Sequence, residues 1–290
     1  MTTSAEGAVL ALLAAVAFAL GTVLQQRGTL ETDAPEGDPR FMAEIVREPI
    51  WLAGGALQAI GWVLQAVALA NGSLVVVQSL CALSLVFALP LGAWLTGQVV
   101  GRRSIIGAVL VLVGIIGFVV VGQPQGGTDT PSAAAWWSAG LFTLAAVLVL
   151  GAVGRRSRGP LAATLFAAAA GFGFAFQSAV TKVFVDELGG GLVSVLTMWT
   201  TYALIVSALA GFALQQSALK TGFLAPAMAS SNATTLIISV VLGITVFDET
   251  LSSGGGRLVP ALVGLIAAAF GVVLLATPEE SGTPAAAGGP

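Results

Sequence analysis

The sequence predicts an all-α polytopic membrane protein with nine transmembrane helices in a 4+1+4 inverted-repeat arrangement. Three observations carry this prediction: the composition, the regular return of apolar runs about one bilayer long, and a stretch that occurs twice. Hydrophobic residues make up 57% of the 290 residues and charged residues only 9%. A soluble domain carries about 25% charged residues, so we expect lipid to be the solvent of this chain.

Each apolar run is close to the ~20 residues that a helix needs to cross ~30 Å of hydrocarbon. Pro49 and Pro160 stand at helix starts, where a missing N–H is tolerated. Pro90 and Pro226 fall inside the third and eighth runs, where we expect kinks. The nine runs lie at 7–27, 50–70, 73–97, 103–122, 134–153, 160–185, 191–214, 221–247 and 257–276.

One stretch is present in both halves of the chain, as GWVLQAVALANGSL at 61–74 and GFALQQSALKTGFL at 211–224. The copies align without a gap, and Trp62 is matched by the aromatic Phe212. A helical hairpin repeated in two halves of a membrane chain indicates a transporter with its site between the halves. Chance similarity among Ala-, Leu- and Gly-rich helices is the alternative. Weaker matches join LLAAVAF at 12–18 with LFAAAAG at 165–171, and GFVVV at 117–121 with GVVLL at 271–275.

Positive charge is concentrated in alternate connections. Most arginines lie in connections 1–2, 3–4 and 5–6, with Lys220 in the 7–8 turn, whereas Lys182 and Arg257 fall on the other side. The positive-inside rule then places the N-terminus outside and the C-terminus in the cytoplasm, across the inner or plasma membrane. Residues 40–47 form a candidate interfacial helix.

We expect a single transmembrane domain over the whole chain, 1–290. It is divided into repeat 1 at about 7–122, a linking helix at 134–153, repeat 2 at about 160–276, and a disordered tail at 278–290. The first run has no Lys or Arg before it, so it is expected to be a retained helix and not a signal peptide.

Missing residue types narrow the function classes. The net charge is −3 with no basic face, so a nucleic-acid partner is not expected. The chain has no His, which removes the usual general base and the commonest metal ligand. The single Cys81 can form neither an internal disulfide nor a thiolate cluster. We therefore predict no catalytic residues, no cofactor and no enzyme, and leave any metal site unassigned.

Neutral polar side chains lie near the middle of the predicted helices. Helix packing accounts for many such residues. The cluster at 230–235 covers more than one helix face, however, which favours the lining of a wet cavity. We predict a substrate cavity between helices 1–3 and 6–8. Its candidate residues are Gln58, Gln65, Gln78, Gln177, Gln215, Ser230, Ser231, Asn232 and Thr235.

Four carboxylates lie at the predicted outer helix ends, namely Asp186, Glu187, Asp248 and Glu249. They suggest an outer mouth that attracts cations. The alternative is a set of solvated helix ends, with Lys182 paired to Asp186 at i,i+4 spacing.

Several short motifs resemble one family of membrane proteins. They are QQRG at 25–28, WLAG at 51–54, the hairpin at 65–85, QSAVTK at 177–182, QQSAL at 215–219, and the segment from Ala225 to Glu249. On these residues the chain resembles the NIPA-like magnesium transporters, a branch of the drug/metabolite transporter superfamily with the EamA-like fold. The resemblance implies inverted repeats, a central cavity, alternating access and transport of Mg²⁺. Typical superfamily members have ten helices, whereas nine are predicted here.

We expect the transported substrate to be a small polar or amphipathic solute. Neutral amides and hydroxyls suit hydrogen-bonded binding better than tight binding of a dehydrated divalent ion. Two alternatives stay open: a Mg²⁺ transporter, and a structural or lipid-interacting membrane protein that transports nothing. The expected partners are the lipid bilayer and a small-molecule or ion substrate, and a homodimer is left open.

Overall fold

The computed structural model describes residues 4–30, 47–96, 102–128, 130–188, 192–219, 221, 224–251 and 257–276. Apart from Arg47, the candidate interfacial helix lies outside these residues, as does the tail at 278–290. The helices are α1 Ala5–Leu30, α2 Pro49–Ala70, α3 Leu74–Cys81, α4 Ser84–Thr96, α5 Arg102–Gly122, α6 Ala133–Arg156, α7 Gly159–Glu187, α8 Leu192–Thr197, α9 Trp199–Leu219, α10 Leu224–Thr245 and α11 Leu258–Ala276. The two short strands are β1 Gln125–Gly126 and β2 Glu249–Thr250.

Long apolar helices dominate the fold, and the prediction of an all-α membrane protein is confirmed. Two shorter apolar helices are present at Ser230–Thr245 and Leu258–Leu274. The seventh predicted run is divided between α8 and α9 at Met198. Among the described residues, six stretches are long and apolar enough to cross a bilayer: Ala5–Gln25, Pro49–Ala70, Leu74–Gly92, Ile105–Gly122, Ala133–Arg156 and Leu161–Val185.

The eighth run differs from the expectation based on its proline, and the third run has an interruption that its proline does not account for. Pro226 is the third residue of α10, in the first turn, where a missing N–H has no intrahelical partner to lose. The expected mid-helix kink at Pro226 is therefore wrong. In the third run the backbone is interrupted at Ala82 and Leu83, between α3 and α4, and α4 continues through Pro90.

Equivalent contacts recur in the two halves of the chain. Helix α1 packs against α2, and α7 packs against α9. The Phe18 ring lies over Gly61, and the Phe174 ring lies over Gly211. Because Gly61 and Gly211 are matched in the repeated stretch, Phe18 corresponds to Phe174. The alignment of 12–18 with 165–171, which pairs Phe18 with Gly171, is therefore wrong by three residues.

The two ends of the helix bundle differ. The arginine-rich end carries the end of α1, the starts of α2 and α5, and the α6–α7 connection. The opposite end, here called the ribbon end, carries β1 and β2, which pair antiparallel with Gly126 opposite Glu249. Buried apolar side chains fill the bundle near the ribbon end, including Ala11, Ala14, Ala68, Leu69, Leu74, Val77, Ala179, Val183, Leu242, Val246 and Phe247. The bundle is thus densely packed at one end.

Helices α5 and α11 touch backbone to backbone at glycine, which yields a test of the fold. A Cβ added at Gly114 would lie 2.5 Å from the carbonyl oxygen of Gly264 and 2.6 Å from the nitrogen of Ala268. We expect Gly114→Ala to lower the free energy of unfolding by about 1–3 kcal/mol, because the helices must separate. Unfolding by SDS in mixed micelles measures this change. Gly117→Ala is the matched control, since a Cβ there meets nothing within 4 Å; equal effects of the two substitutions would contradict the packing.

Candidate functional site

A cavity of about 470 Å³ lies inside the bundle. Its walls come from α1, α2, α3, α4, α7, α9 and α10, which cover the first, second, third, sixth, seventh and eighth predicted runs. The interruption between α3 and α4 lies on the wall, because Cys81, Ala82 and Ser84 all line the cavity. Irregular backbone at membrane depth is tolerated where it borders protein or a wet cavity.

The wall is neutral and rich in amides. No Asp, Glu, Lys or Arg is among the lining residues of the described chain. Hydroxyls are contributed by Thr22, Ser84, Ser178, Ser231 and Thr235. Amides are contributed by Gln25, Gln58, Gln65, Gln78, Gln177, Gln215, Gln216 and Asn232, and aromatic rings by Phe18, Trp51, Trp62, Phe174 and Phe212.

Eight of the nine candidate positions predicted from the sequence line this cavity, and Ser230 is the exception. The Ser230 hydroxyl donates to the Thr164 carbonyl oxygen at 2.8 Å, which ties α10 to α7. Ser230 therefore serves helix packing. The next residue, Ser231, is turned about 100° around the helix and lines the cavity.

Hydrogen bonds fix several of these amides. Gln58 Nε2 donates to Thr22 Oγ1 at 2.9 Å, which joins α2 to α1. Gln65 Nε2 donates to Ser178 Oγ at 3.2 Å, which joins α2 to α7 across the two halves. Ser178 in turn donates to the Phe174 carbonyl oxygen of the preceding turn. The wall is therefore a preorganised surface, held by contacts between helices.

Sequence reasoning did not assign Thr22, Ser178 or the aromatic walls to the site. The signal for the walls was the aromatic match between Trp62 and Phe212 in the repeated stretch. Thr22 and Ser178 gave no signal of their own, because single hydroxyls are common in membrane helices.

The lining extends from the arginine-rich end to the middle of the bundle. Gln25, Trp51 and Gln216 lie close to the helix ends there. Towards the ribbon end the lining stops at Gln78 on α3 and Ser178 on α7. Beyond these residues lies the apolar packing described above, so the cavity is closed at the ribbon end.

A buried carboxylate organises the ribbon end. Glu249 is only 2% exposed. It accepts hydrogen bonds from the backbone N–H groups of Leu74 at 2.6 Å and Val75 at 2.9 Å. Ser73 Oγ accepts from the N–H of Val76, so the first three donors of α3 are all bound. A carboxylate is favourable at a helix N-terminus, where unpaired N–H groups carry partial positive charge.

Lys182 completes this contact. Its Nζ donates to the Gly72 carbonyl oxygen at 2.8 Å and lies 3.9 Å from Glu249 Oε1 and 5.3 Å from the centre of the Phe247 ring. Burial raises the pKa of Glu249, while the N–H groups of α3 and the charge of Lys182 act in the opposite direction. The contact joins α7 and β2 to the turn between α2 and α3.

The four predicted mouth carboxylates are not equivalent. Glu249 does not belong to an exposed mouth, because it is buried and bound as just described. Glu187 accepts a hydrogen bond from Thr200 Oγ1 at 2.8 Å, and Asp248 is exposed. The side chain of Asp186, on which the pairing with Lys182 depends, lies outside the described residues. Within the described ranges, no three His, Cys, Asp or Glu side chains come together as a metal site would require.

Comparison with known proteins gives a relative of unknown activity. The chain is 29% identical over 245 residues to an uncharacterized protein of Corynebacterium glutamicum, and the match covers 82% of this chain and 83% of the relative. No family model matches the chain. No solved structure matches it. The function is therefore inferred from the cavity and its closed end.

The buried carboxylate gives the second test. Glu249→Ala should lower the free energy of unfolding by about 3–5 kcal/mol, since it leaves Lys182 and two N–H groups of α3 buried without this partner. Asp248→Asn changes the neighbouring exposed carboxylate and keeps a residue that tolerates its positive φ of 52°. We expect that control to stay within about 0.5 kcal/mol of the wild type. The same SDS titration measures both, and similar losses would show that Glu249 does not organise this end.

Proposed function

We propose that the chain is a transporter of the drug/metabolite transporter type, which moves a small polar or amphipathic solute across the cell membrane by alternating access. The observation that carries the proposal is a neutral, amide-lined cavity that reaches the middle of the bundle from one end only. Small-molecule sites combine apolar and aromatic walls with a few placed polar groups, and this cavity has that composition.

The repeat supports the proposed nine-helix, 4+1+4 arrangement. The contact of α1 with α2 has its counterpart in that of α7 with α9, and the contact of α1 with α4 in that of α7 with α10. Helices α5 and α11, the last of each half, pack on each other, and α6 stands between the halves in sequence. In transporters built this way the site lies between the repeats. The proposed orientation has the arginine-rich end in the cytoplasm.

Alternating access requires the ribbon end to open when the arginine-rich end closes. In the proposed mechanism the buried contact of Glu249 with Lys182 and the α3 N-terminus is the outer gate. It lies directly beyond the last lining residues, and it joins elements from both halves. A gate of this kind is reversible because each separated group can be hydrated once the end is open.

The cavity favours an organic solute over Mg²⁺. Mg²⁺ is usually held by one or two carboxylates with several waters retained. Among the described residues, the lining offers amides, hydroxyls, aromatic rings and aliphatic side chains, but no carboxylate. The resemblance to magnesium transporters is the support for the alternative, and uptake measurements separate the two.

The decisive experiment is uptake into proteoliposomes. Vesicles containing the purified chain are incubated with a mixture of small organic solutes, and accumulation is compared with protein-free vesicles by mass spectrometry. We expect at least one solute to accumulate. Asn232→Leu should reduce its uptake about tenfold, because one hydrogen-bonding group of the wall is lost.

Ile237→Leu is the matched control for Asn232→Leu, since it changes a lipid-exposed residue of the same helix. Ile237→Leu should retain the wild-type melting temperature, and the uptake by Asn232→Leu is measured per folded molecule. Saturable uptake of Mg²⁺ without uptake of any organic solute would support the magnesium alternative. Uptake of neither would leave the structural or lipid-interacting alternative.

Cysteine labelling tests the gate. In a Cys81→Ala background, Ser84→Cys should react with an impermeant maleimide from the arginine-rich end, because Ser84 lines the cavity. Val77→Cys should be protected from both ends, since Val77 is fully buried beyond the cavity. Adding Glu249→Gln weakens the gate by removing its charge, and Val77→Cys should then react from the ribbon end. Continued protection in that variant, if it is folded, would refute the proposed gate.

A further inference from the structure

The inner limit of the cavity carries polar atoms that no group of the described chain binds. We call this limit the floor, formed by Gln65, Gln78, Gln177 and Ser178. Gln78 is 4% exposed, and its Nε2 makes no hydrogen bond within the described chain. The buried Oε1 of Gln177 likewise accepts no hydrogen bond there. Both residues line the cavity, and leaving a buried donor or acceptor unsatisfied is costly. Binding a ligand that reaches the floor would relieve this cost at both amides.

The two atoms lie on different helices but at the same depth in the bundle. Lys182 of α7 binds the Gly72 carbonyl oxygen just before α3 begins. Gln78 is one turn into α3 from Leu74, and Gln177 is between one and two turns back along α7 from Lys182. At 1.5 Å per residue both lie roughly 6–8 Å from the closed end. The bond from Gln65 to Ser178 lies at the same level. The floor therefore offers an N–H donor and a carbonyl acceptor at one depth.

The floor also lacks a counter-charge. No charged side chain is among the lining residues, and the nearby Lys182 and Glu249 are bound to each other and to the backbone around the start of α3. A charged head group would lose its water here without gaining an opposite charge, which is strongly unfavourable at bilayer depth. An uncharged head group with one donor and one acceptor would satisfy both floor atoms at little desolvation cost.

The walls that rise from the floor are aromatic. Phe18 and Phe174 lie over glycines of α2 and α9, and Trp62 and Phe212 follow those glycines directly. Their rings offer a large apolar contact area to whatever extends from the floor towards the arginine-rich end.

We propose that Gln78 and Gln177 bind an uncharged head group that carries both a hydrogen-bond donor and an acceptor, of which a primary carboxamide is the simplest. The aromatic walls hold the apolar body attached to that head. This proposal rests on the proposed function, because it names the substrate class of the same cavity.

Three probes that share a phenyl-substituted chain and differ in the head group test this proposal. They are 3-phenylpropanamide, 3-phenylpropanoate and protonated 3-phenylpropylamine. Binding to the purified full chain is followed at pH 7 by tryptophan fluorescence. We expect the amide to bind at least about tenfold more tightly than either ion, since only the ions are buried without a counter-charge. Gln78→Leu should weaken binding of the amide about tenfold, because the floor loses its donor.

Gln177→Glu provides a test by reversal. Its carboxyl group can ionise as the ammonium probe binds and then supplies the missing counter-charge, so we expect the preference to move from the amide to the ammonium probe. The matched control is Gln123→Glu, the same substitution at an exposed residue that accepts a hydrogen bond from Arg257 at the ribbon end. It should leave all three affinities unchanged.

Tighter binding of either ion by the wild type would overturn the proposal, even if uptake experiments establish transport. The same holds if none of the probes binds, or if Gln78→Leu folds normally and binds the amide as before. Failure of the proposed function is distinguishable, since it is measured as absent uptake of the whole solute mixture and not as a preference among heads.

Discussion

Hydrocarbon offers no hydrogen-bond partners, and this constraint organises the whole structure. A polar side chain within the bilayer is costly unless it binds a protein group or faces a cavity. The constraint separates two adjacent serines of α10: Ser230 binds a carbonyl of α7, whereas Ser231 faces the cavity. It also explains why the amides of Gln58 and Gln65 are bound to hydroxyls on neighbouring helices. Two of the buried polar atoms without a protein partner in the described chain, Gln78 Nε2 and Gln177 Oε1, belong to the floor of the cavity.

A second consequence concerns the ribbon end. The start of α3 lies inside the bundle, so its first N–H groups need acceptors. Glu249 and Ser73 supply them, and Lys182 stands beside the carboxylate. A carboxylate buried in this way is stabilising only while all its contacts are intact. In the proposed gate these contacts would therefore break together, with each separated group hydrated once the end is open.

Composition and apolar periodicity were sufficient to predict an all-α membrane protein, because crossing a bilayer imposes helix length and hydrophobicity directly. The candidate wall residues could also be identified from the sequence, since several amides on one face are unusual in a membrane helix. Glu249 could not be placed, because its partners Leu74 and Val75 are 175 and 174 residues away in sequence. The interruption at Ala82 and Leu83 was not predicted, because the local sequence contains no proline or glycine there. Like the contacts of Glu249, it depends on tertiary packing.

The proposed function requires the molecule to open in turn at the arginine-rich end and at the ribbon end. Pulsed electron paramagnetic resonance on reconstituted protein measures both openings, with one spin-label pair at Leu52 and Ala213 and another at Asn71 and Asp248. We expect two distances for each pair, with populations that shift in opposite directions at the two ends when the carboxamide probe is added. A single distance at both ends, unchanged by every solute of the uptake mixture, would refute alternating access.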